Sequence, residues 1–280
     1  MKTLKYLSIL LISLLTFSCS SDDEINVINP DELTDLIKIK ELSNATHSIE
    51  LYSKNGKLEQ GYNALSLRIK DNNDHYISNA TLSWNPIMYM TGMQHSCPKS
   101  EISKTPNKET LYNGYIVFQM ASHGSEYWGL TVDYTIDGTL YSVSETIEVF
   151  PSEKQRVTTF TAANNSRYVL AMIAPSEPKV ALNDMVVCLY KMENMMQFSV
   201  VDDHLIKIDP RMPSMGNHGS PNNQDLTQNA DGFYHGKLSL TMTGYWKINL
   251  QLLDDEHRVL KGEEVTSEKE SSSLYLEIEF

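Results

Sequence analysis

The amino-acid sequence predicts an all-β protein, arranged as two tandem antiparallel β-sandwiches behind an N-terminal export segment. Apolar and polar residues alternate in short segments, such as residues 65–69, that end at turn-forming runs, such as residues 71–74. Outside residues 31–42, no window shows a sustained apolar stripe at helical spacing. Several motifs also occur twice, in the same order, which indicates a duplicated unit.

The N-terminus predicts export and lipidation. Basic residues at positions 2 and 5 precede an apolar run over residues 6–17, and Ser18-Cys19 follows, so residues 1–18 have the pattern of a lipoprotein signal peptide. A short membrane span is the alternative, but the run falls well short of the ~20 residues that a transmembrane helix needs. We therefore expect Cys19 to carry a lipid that anchors the chain to the membrane. The acidic cluster at residues 20–24 resembles the export tag of surface-displayed lipoproteins in Bacteroidota, which implies exposure on the bacterial outer membrane.

The charge of the chain excludes nucleic acid as a partner. Acidic residues number 36 and basic residues 23, a formal net charge of −13, and removal of Lys2 and Lys5 with the signal peptide takes it to −15. Binding to nucleic acid requires a basic surface. Of the other two cysteines, Cys97 lies in a polar loop and Cys188 in an apolar run. These contexts predict one exposed and one buried thiol, and leave a disulfide between them open.

The chain divides into four predicted segments. They are the signal peptide at residues 1–18, an acidic tether at 19–44, a first sandwich at 45–151 and a second sandwich at 152–280. The length after the tether is enough for two domains of ~100–150 residues each.

The repeat is carried by methionine, tyrosine, glycine and tryptophan. Three methionines of the first copy recur 122 positions later in the second: Met90, Met93 and Met120 as Met212, Met215 and Met242, respectively. The Tyr-x-Gly motif at Tyr112 recurs at Tyr234 with the same offset, whereas Trp128 and Trp246 differ by 118, which a four-residue insertion in the first copy explains. Short strands without intervening helices, with a tryptophan core anchor in each copy, predict sandwiches of immunoglobulin-like type.

Each copy also contains a loop in which two methionines, three positions apart, precede a histidine. The candidate metal ligands are Met90, Met93 and His95 in the first loop and Met212, Met215 and His218 in the second, with Met120 and Met242 from neighbouring strands. Methionine thioether is a soft ligand suited to Cu(I), and imidazole binds copper in either oxidation state. The alternative is structural, because methionine fills irregular gaps and could plug the open end of a sandwich.

Together these motifs resemble the YtkA-like and FixH-like domain family. The second copy carries Met-Pro-x-Met-x-x-His from Met212, followed by Tyr-x-Gly and Met-x-Gly-x-Trp, over about residues 166–252. The first copy lacks the proline, is lengthened before Trp128, and adds Met88 and Cys97. The resemblance implies small extracytoplasmic β-sandwiches associated with copper handling. For a protein that captures or delivers copper, the candidate partners are an outer-membrane transporter or a copper protein.

Catalytic motifs are missing from the sequence. It contains no Gly-x-Ser-x-Gly, no His-Glu-x-x-His and no phosphate-binding glycine loop, which argues against an enzyme. The sequence therefore predicts a cell-envelope lipoprotein that binds copper through Met/His loops for metal capture or delivery. The alternative is a non-catalytic surface module that binds protein or polysaccharide and uses the methionines as core plugs.

Overall fold

The computed structural model describes residues 30–280, so the predicted signal peptide and Cys19 lie outside the described residues. The described chain is almost entirely β, as predicted, with short 3₁₀ turns at Pro30–Leu33 and Pro213–Met215. No helix in this part of the chain is long and apolar enough to cross a membrane.

Eleven strands lie in the first half, residues 30–150: β1 (Ile37–Ser43), β2 (His47–Ser53), β3 (Leu58–Glu59), β4 (Gly61–Asp71), β5 (Thr81–Met90), β6 (Met93–His95), β7 (Ser103–Lys104), β8 (Tyr112–Phe118), β9 (Tyr127–Ile136), β10 (Thr139–Ile147) and β11 (Val149–Phe150). Eleven more lie in the second half, residues 151–280: β12 (Val157–Thr161), β13 (Arg167–Ala174), β14 (Ala181–Met192), β15 (Phe198–Val200), β16 (Leu205–Met212), β17 (His218–Gly219), β18 (Gln224–Gln228), β19 (Tyr234–Leu240), β20 (Tyr245–Leu253), β21 (Val259–Lys261) and β22 (Tyr275–Glu279).

The first half consists of two antiparallel sheets packed around one core. Their strand orders are β1-β2-β4-β8-β7 and β10-β9-β5-β6, and a short parallel pair joins β3 to β11. Alternate residues of both sheets point inward, so that Leu67 from one and Leu130 from the other share a core with the fully buried Trp128. This arrangement is the sandwich type that the alternating pattern predicts.

The second half is a single eleven-stranded sheet. Its main path runs β12-β13-β14-β19-β18-β16-β20-β21, with β15, β17 and β22 paired beside it. Strand β18 pairs with both β16 and β19, and a register shift between Gln224 and Thr227 interrupts its ladder with β19. Bulged ladders bend strongly, which allows one sheet to turn around its own core. The ends of the sheet meet where the Glu277 N–H donates to the carbonyl of Gln155 at 2.9 Å.

The repeated Tyr-x-Gly motif has a steric explanation. Strands β8 and β19 begin at Tyr112 and Tyr234, and the two strands have the same pattern of burial. A Cβ on Gly236 would lie 2.4 Å from the carbonyl oxygen of Gln224, and one on Gly114 would lie 2.7 Å from the Trp84 ring. Only glycine fits at either position, because these distances are shorter than real Cβ contacts allow.

The two halves touch through an aromatic cluster. Val117 on β8 packs with Val169 and Cys188 of the second half, and the Tyr115 and Tyr190 hydroxyls lie 2.5 Å apart. Among the described residues, no strand ladder joins the halves, so side chains and isolated backbone hydrogen bonds form this contact.

The predicted tether ends earlier than residue 44. Residues 31–42, the one window with an apolar stripe at helical spacing, instead contain most of the first 3₁₀ turn and most of β1, which pairs with β2. Leu42 is fully buried in the first core. The charged residues of β1 are typical of a linker. In the structure they are paired on the sheet surface, where the Lys38 ammonium lies 2.9 Å from the Glu50 carboxylate. The first sandwich therefore begins before residue 45.

The prediction of an exposed Cys97 thiol is wrong. Cys97 is 1% exposed, as is Cys188, and both are free cysteines. The polar loop around Cys97 is covered because it runs along the junction of the halves, where the Ser96 N–H donates to the Met195 carbonyl at 2.8 Å. Burial raises the pKa of both thiols, that of Cys188 to about 12.

Candidate metal-binding hairpins

The first Met/His loop is a tight β-hairpin. Strands β5 and β6 are joined by Thr91 and Gly92, so that Met90 and Met93 face each other directly across the turn. Gly92 adopts a φ of +81°, a left-handed conformation that glycine adopts without steric cost. The turn therefore fixes the register that pairs the two methionines.

The two methionines and His95 lie on one face of this hairpin. Met88 pairs with His95 two residues below the Met90–Met93 pair, and side chains two residues apart on a strand share a face. Exposure rises along this face: Met88 is fully buried, His95 is 8% exposed and Met93 is 47% exposed. The hairpin thus carries its donor atoms from the core to the rim of the sandwich.

The orientation of the His95 ring leaves one nitrogen available. Nδ1 lies 2.7 Å from the carbonyl oxygen of Ser96 and must donate to it, which assigns the proton to Nδ1 and the lone pair to Nε2. Among the described residues, Nε2 has no hydrogen-bond partner, and it is not sealed from solvent. The ring packs edge-on against Trp128, with centroids 5.5 Å apart. A backbone carbonyl holding Nδ1–H is a common way to orient a metal-binding imidazole.

Met120 lies beside the same tryptophan. Its backbone carbonyl accepts a hydrogen bond from the Trp128 indole N–H at 3.0 Å, and its side chain packs against the first core. Met90 packs against that core as well. Trp128 therefore contacts two of the four candidate ligands of the first copy, His95 through its ring and Met120 through its indole N–H.

The second Met/His loop has a different shape. After Met212 the chain enters the 3₁₀ turn Pro213–Met215, and pairing resumes at His218, which faces Met212 across the hairpin. Met212 is 3% exposed, and its methyl group comes so close to Gly244 that a Cβ there would lie 3.2 Å away. Met215, by contrast, is 56% exposed. The register brings together Met212 and His218 and leaves Met215 on the turn.

Met242 repeats the arrangement of Met120. Its carbonyl accepts the Trp246 indole N–H at 3.0 Å, and its side chain packs against the second core. Both tryptophans are fully buried, as predicted.

The chemistry of either hairpin depends on thioether sulfur. Among residues 30–280, no group of three or more His, Cys, Asp or Glu side chains is arranged to hold a metal ion. Met88, which the sequence marks as an addition of the first copy, faces His95, and the carbonyl of Ser96, a residue that no motif marks, orients the His95 ring. The alternation Met88-x-Met90 was the available signal for Met88, since both residues lie on the same face of a strand.

Comparisons with known proteins add no function. No family model matches the chain, and no curated protein matches it. Among solved structures, the chain is similar to the crystal structure of a DUF4785 family protein from Legionella pneumophila, with 11% sequence identity and a TM-score of 0.25. The alignment covers 76% of this chain and 53% of that protein, so the chain spans about half the length of its structural neighbour.

Proposed function

We propose that this chain is a cell-envelope lipoprotein that binds copper, as Cu(I), through the first Met/His hairpin for metal capture or delivery. The observation that carries the proposal is the direct cross-strand pairing of Met90 with Met93, with His95 on the same face. Two thioethers and one imidazole form a soft donor set, which favours Cu(I) over hard cations. The resemblance to YtkA-like and FixH-like domains is consistent with this role.

The graded exposure of the hairpin suits exchange of metal between proteins. Met93 is about half exposed, whereas His95 is nearly buried and held by the Ser96 carbonyl. An exposed thioether can be replaced by a donor from a partner while the imidazole still holds the ion. A copper protein or an outer-membrane transporter is the partner that such an exchange requires.

The second hairpin supports the proposal less. Met212 is almost fully buried in the second core, although it faces His218. This burial favours the second candidate function, a non-catalytic interaction module in which methionine fills the open end of a sandwich. We therefore assign copper first to Met90, Met93 and His95, and treat Met212, Met215 and His218 as a weaker site.

Location in the envelope is part of the same proposal. We infer the outer-membrane anchor from the signal-peptide pattern of residues 1–18 and from Cys19, the residue that would carry the lipid. Radiolabelled palmitate should be incorporated into the wild-type chain in a bacterial host and should be absent from a Cys19→Ala variant. Equal labelling of both would contradict the lipid anchor.

Cu(I) titration against a chromogenic chelator tests the metal site. The full-length chain, purified in detergent, should bind Cu(I), and the double variant Met90→Leu, Met93→Leu should lose at least about tenfold in affinity, or about 1.4 kcal/mol. Leucine replaces methionine at nearly constant volume, typically for less than ~1.5 kcal/mol of stability, so folding should persist.

A matched control uses methionines outside the hairpins. Met192→Leu, Met196→Leu should leave Cu(I) affinity unchanged, and Met212→Leu, Met215→Leu should reduce it less than the first pair does. If the Met90 and Met93 double variant binds Cu(I) as tightly as wild type does, the copper assignment fails and the interaction module becomes the better candidate.

A further inference from the structure

A second surface of the first half has the composition of a binding site. It is the outer face of the sheet β10-β9-β5-β6, opposite the core. Along β9, the buried residues Leu130 and Val132 alternate with Gly129, Thr131 and Asp133 on this outer face. Asn85, Tyr127 and Ser144 on this face are exposed, and Gly129, Thr131 and Asp133 are partly exposed.

Two tyrosines at one end of this face stack on each other, and we call this stacked pair the aromatic platform. Tyr89 and Tyr127 are direct cross-strand partners, and their rings stack with centroids 5.1 Å apart and planes 20° apart. A Cβ on Gly129 would lie 2.9 Å from Cε2 of Tyr89, so the ring occupies the space that this glycine leaves free. Tyr127 is 41% exposed. The platform is therefore held in place by the backbone and still presents aromatic surface to solvent.

Neutral hydrogen-bonding side chains surround the platform. Gln94 faces Tyr89 across β5 and β6. The adjacent row of this face is Ile87, Gly129 and Thr146, and the row beyond it is Asn85, Thr131 and Ser144. The Thr131 hydroxyl donates to that of Ser144 at 3.0 Å. Asn85 and Gln94 are exposed, and their side-chain amides make no hydrogen bond to another described residue. Gln94 thus offers a free amide beside the aromatic rings, and Asn85 offers another further along the same face.

The equivalent outer face in the second half is charged, so a neutral outer face is not common to both halves. On β16 and β20 the outward residues include Lys207, Asp209, Arg211 and Lys247. Arg211 pairs with Asp209 at 2.6 Å, and the Lys247 ammonium lies 3.8 Å from the centre of the Tyr275 ring. These charged side chains of the second half therefore pair with other side chains of the same face. On the matching first-half face, the only carboxylate or cationic side chain among the described residues is Asp133.

We infer that the surface formed by Tyr89, Tyr127, Gln94, Asn85, Thr131 and Ser144 binds a neutral polysaccharide. A sugar ring presents a C–H face that packs on an aromatic ring, and hydroxyls that exchange hydrogen bonds with amides and hydroxyls. Tyrosine combines these properties in one rigid side chain, and small polar side chains adapt to the hydroxyl pattern. An anionic polymer is disfavoured, because the chain itself carries a formal charge of −13.

This inference is independent of the copper proposal. Tyr89 and Gln94 lie on the opposite face of the β5–β6 hairpin from Met90, Met93 and His95. Loss of copper binding would therefore leave polysaccharide binding intact, and the reverse also holds.

Native affinity electrophoresis tests the surface. The full-length chain in non-ionic detergent and a metal chelator is run through gels containing mixed-linkage β-glucan, galactomannan, arabinan or dextran, with polygalacturonate as the anionic control. We expect retardation by at least one neutral polymer and none by polygalacturonate. Tyr127→Ala and Tyr89→Ala should each weaken binding by about tenfold, as truncation of an aromatic contact at an interface generally does.

Two further variants assign the effect to this face. Tyr245→Ala is the matched control, since Tyr245 begins β20 as Tyr127 begins β9, but donates to Glu277 at 2.7 Å on the charged face. It should leave retardation unchanged. Asn85→Ala removes an exposed amide without touching the core and should weaken binding severalfold even if a tyrosine variant unfolds. The inference is overturned if no neutral polymer retards the wild-type chain, if Asn85→Ala binds like wild type, or if Tyr245→Ala weakens binding as much as Tyr127→Ala does.

Discussion

Replacing Glu32 with glutamine should destabilise the first half, because Glu32 is the buried counter-charge of Arg68. Glu32 is 4% exposed and Arg68 is 2% exposed, and a carboxylate oxygen lies 3.9 Å from Nη2. The carboxylate also accepts hydrogen bonds from the Thr110 hydroxyl and from the N–H groups of Glu109 and Thr110. Arg68 donates to Thr110 at 2.9 Å and lies 3.4 Å from the centre of the Tyr76 ring.

The expected cost follows from this geometry. Two unit charges about 4 Å apart attract by about 4 kcal/mol at an effective dielectric constant near 20. Removing one partner of a buried pair generally costs about 3–5 kcal/mol, because the other charge stays buried. Glutamine keeps one oxygen acceptor for Thr110, so we expect Glu32→Gln to cost about 3 kcal/mol. Glu109 is exposed and contributes only its backbone N–H, so Glu109→Gln should cost within about 0.5 kcal/mol.

Urea unfolding at pH 7, followed by tryptophan fluorescence, measures this difference. Trp84 and Trp128 both lie in the first half and report on its unfolding. For a slope near 2 kcal/mol per molar urea, 3 kcal/mol lowers the midpoint by about 1.5 M. The double variant Glu32→Gln, Arg68→Met should be more stable than Glu32→Gln alone, since it leaves no unpaired charge. The reasoning is refuted if the Glu32 and Glu109 variants unfold at the same urea concentration.

The same pair predicts an acid dependence. Burial opposes ionisation of Glu32, but hydrogen bonds from Thr110 and Glu109 and the charge of Arg68 outweigh it, so the pKa of Glu32 lies below its ordinary value of 4.5. A carboxylate with a lowered folded-state pKa stabilises the fold above its unfolded pKa and loses this effect as pH falls through the folded value. The gap in stability between wild type and Glu32→Gln should therefore be constant above about pH 5 and close below the ordinary value of 4.5. A gap that persists unchanged to pH 2 would contradict this.

Two other features of the packing lead to further predictions. Gly236→Ala should cost about 2–3 kcal/mol in urea unfolding, because its Cβ would lie 2.4 Å from the Gln224 carbonyl oxygen, a backbone atom that cannot move aside. Gly124→Ala is the control, since a Cβ there meets nothing within 4 Å, and it should cost clearly less despite its φ of +58°. Cys97 and Cys188 should resist a thiol reagent at pH 8 in the native chain and react in urea, because both are free and buried. Rapid labelling of either native thiol would show that the junction of the halves opens.

Most of the strand pattern could be predicted because it is local. The alternation along β4 and β9 places apolar side chains on one face, and a sandwich is the arrangement that buries such faces. The repeat predicted Trp128 and Trp246 as equivalent core residues, and both bury fully and donate to a methionine carbonyl.

Features that depend on distant contacts could not be predicted. By sequence, β1 resembles a charged tether. In the structure, Lys38 of β1 pairs with Glu50 of β2, which makes β1 part of the sheet. The polar sequence around Cys97 predicts an open loop, but the Met195 segment of the other half covers it at the junction. Met212 is buried among residues of the second core and lies close to Gly244, which precedes β20 far along the sequence. Each of these contacts joins residues more than ten positions apart, so no short window of the sequence predicts it.

The two hairpins differ because their turns differ. Thr91 and Gly92 form a two-residue turn, so the ladder between β5 and β6 continues to its last pair and both methionines stay on one face. Proline lacks the N–H that a ladder needs, and after Met212 the residue Pro213 begins a 3₁₀ turn, which takes Met215 out of the strand. The proline that strengthens the resemblance to the family is thus the residue that ends the methionine ladder. The copy that departs from the family pattern has the more exposed paired thioethers, and it is the copy in which a soft metal ion would find its donors already on one face.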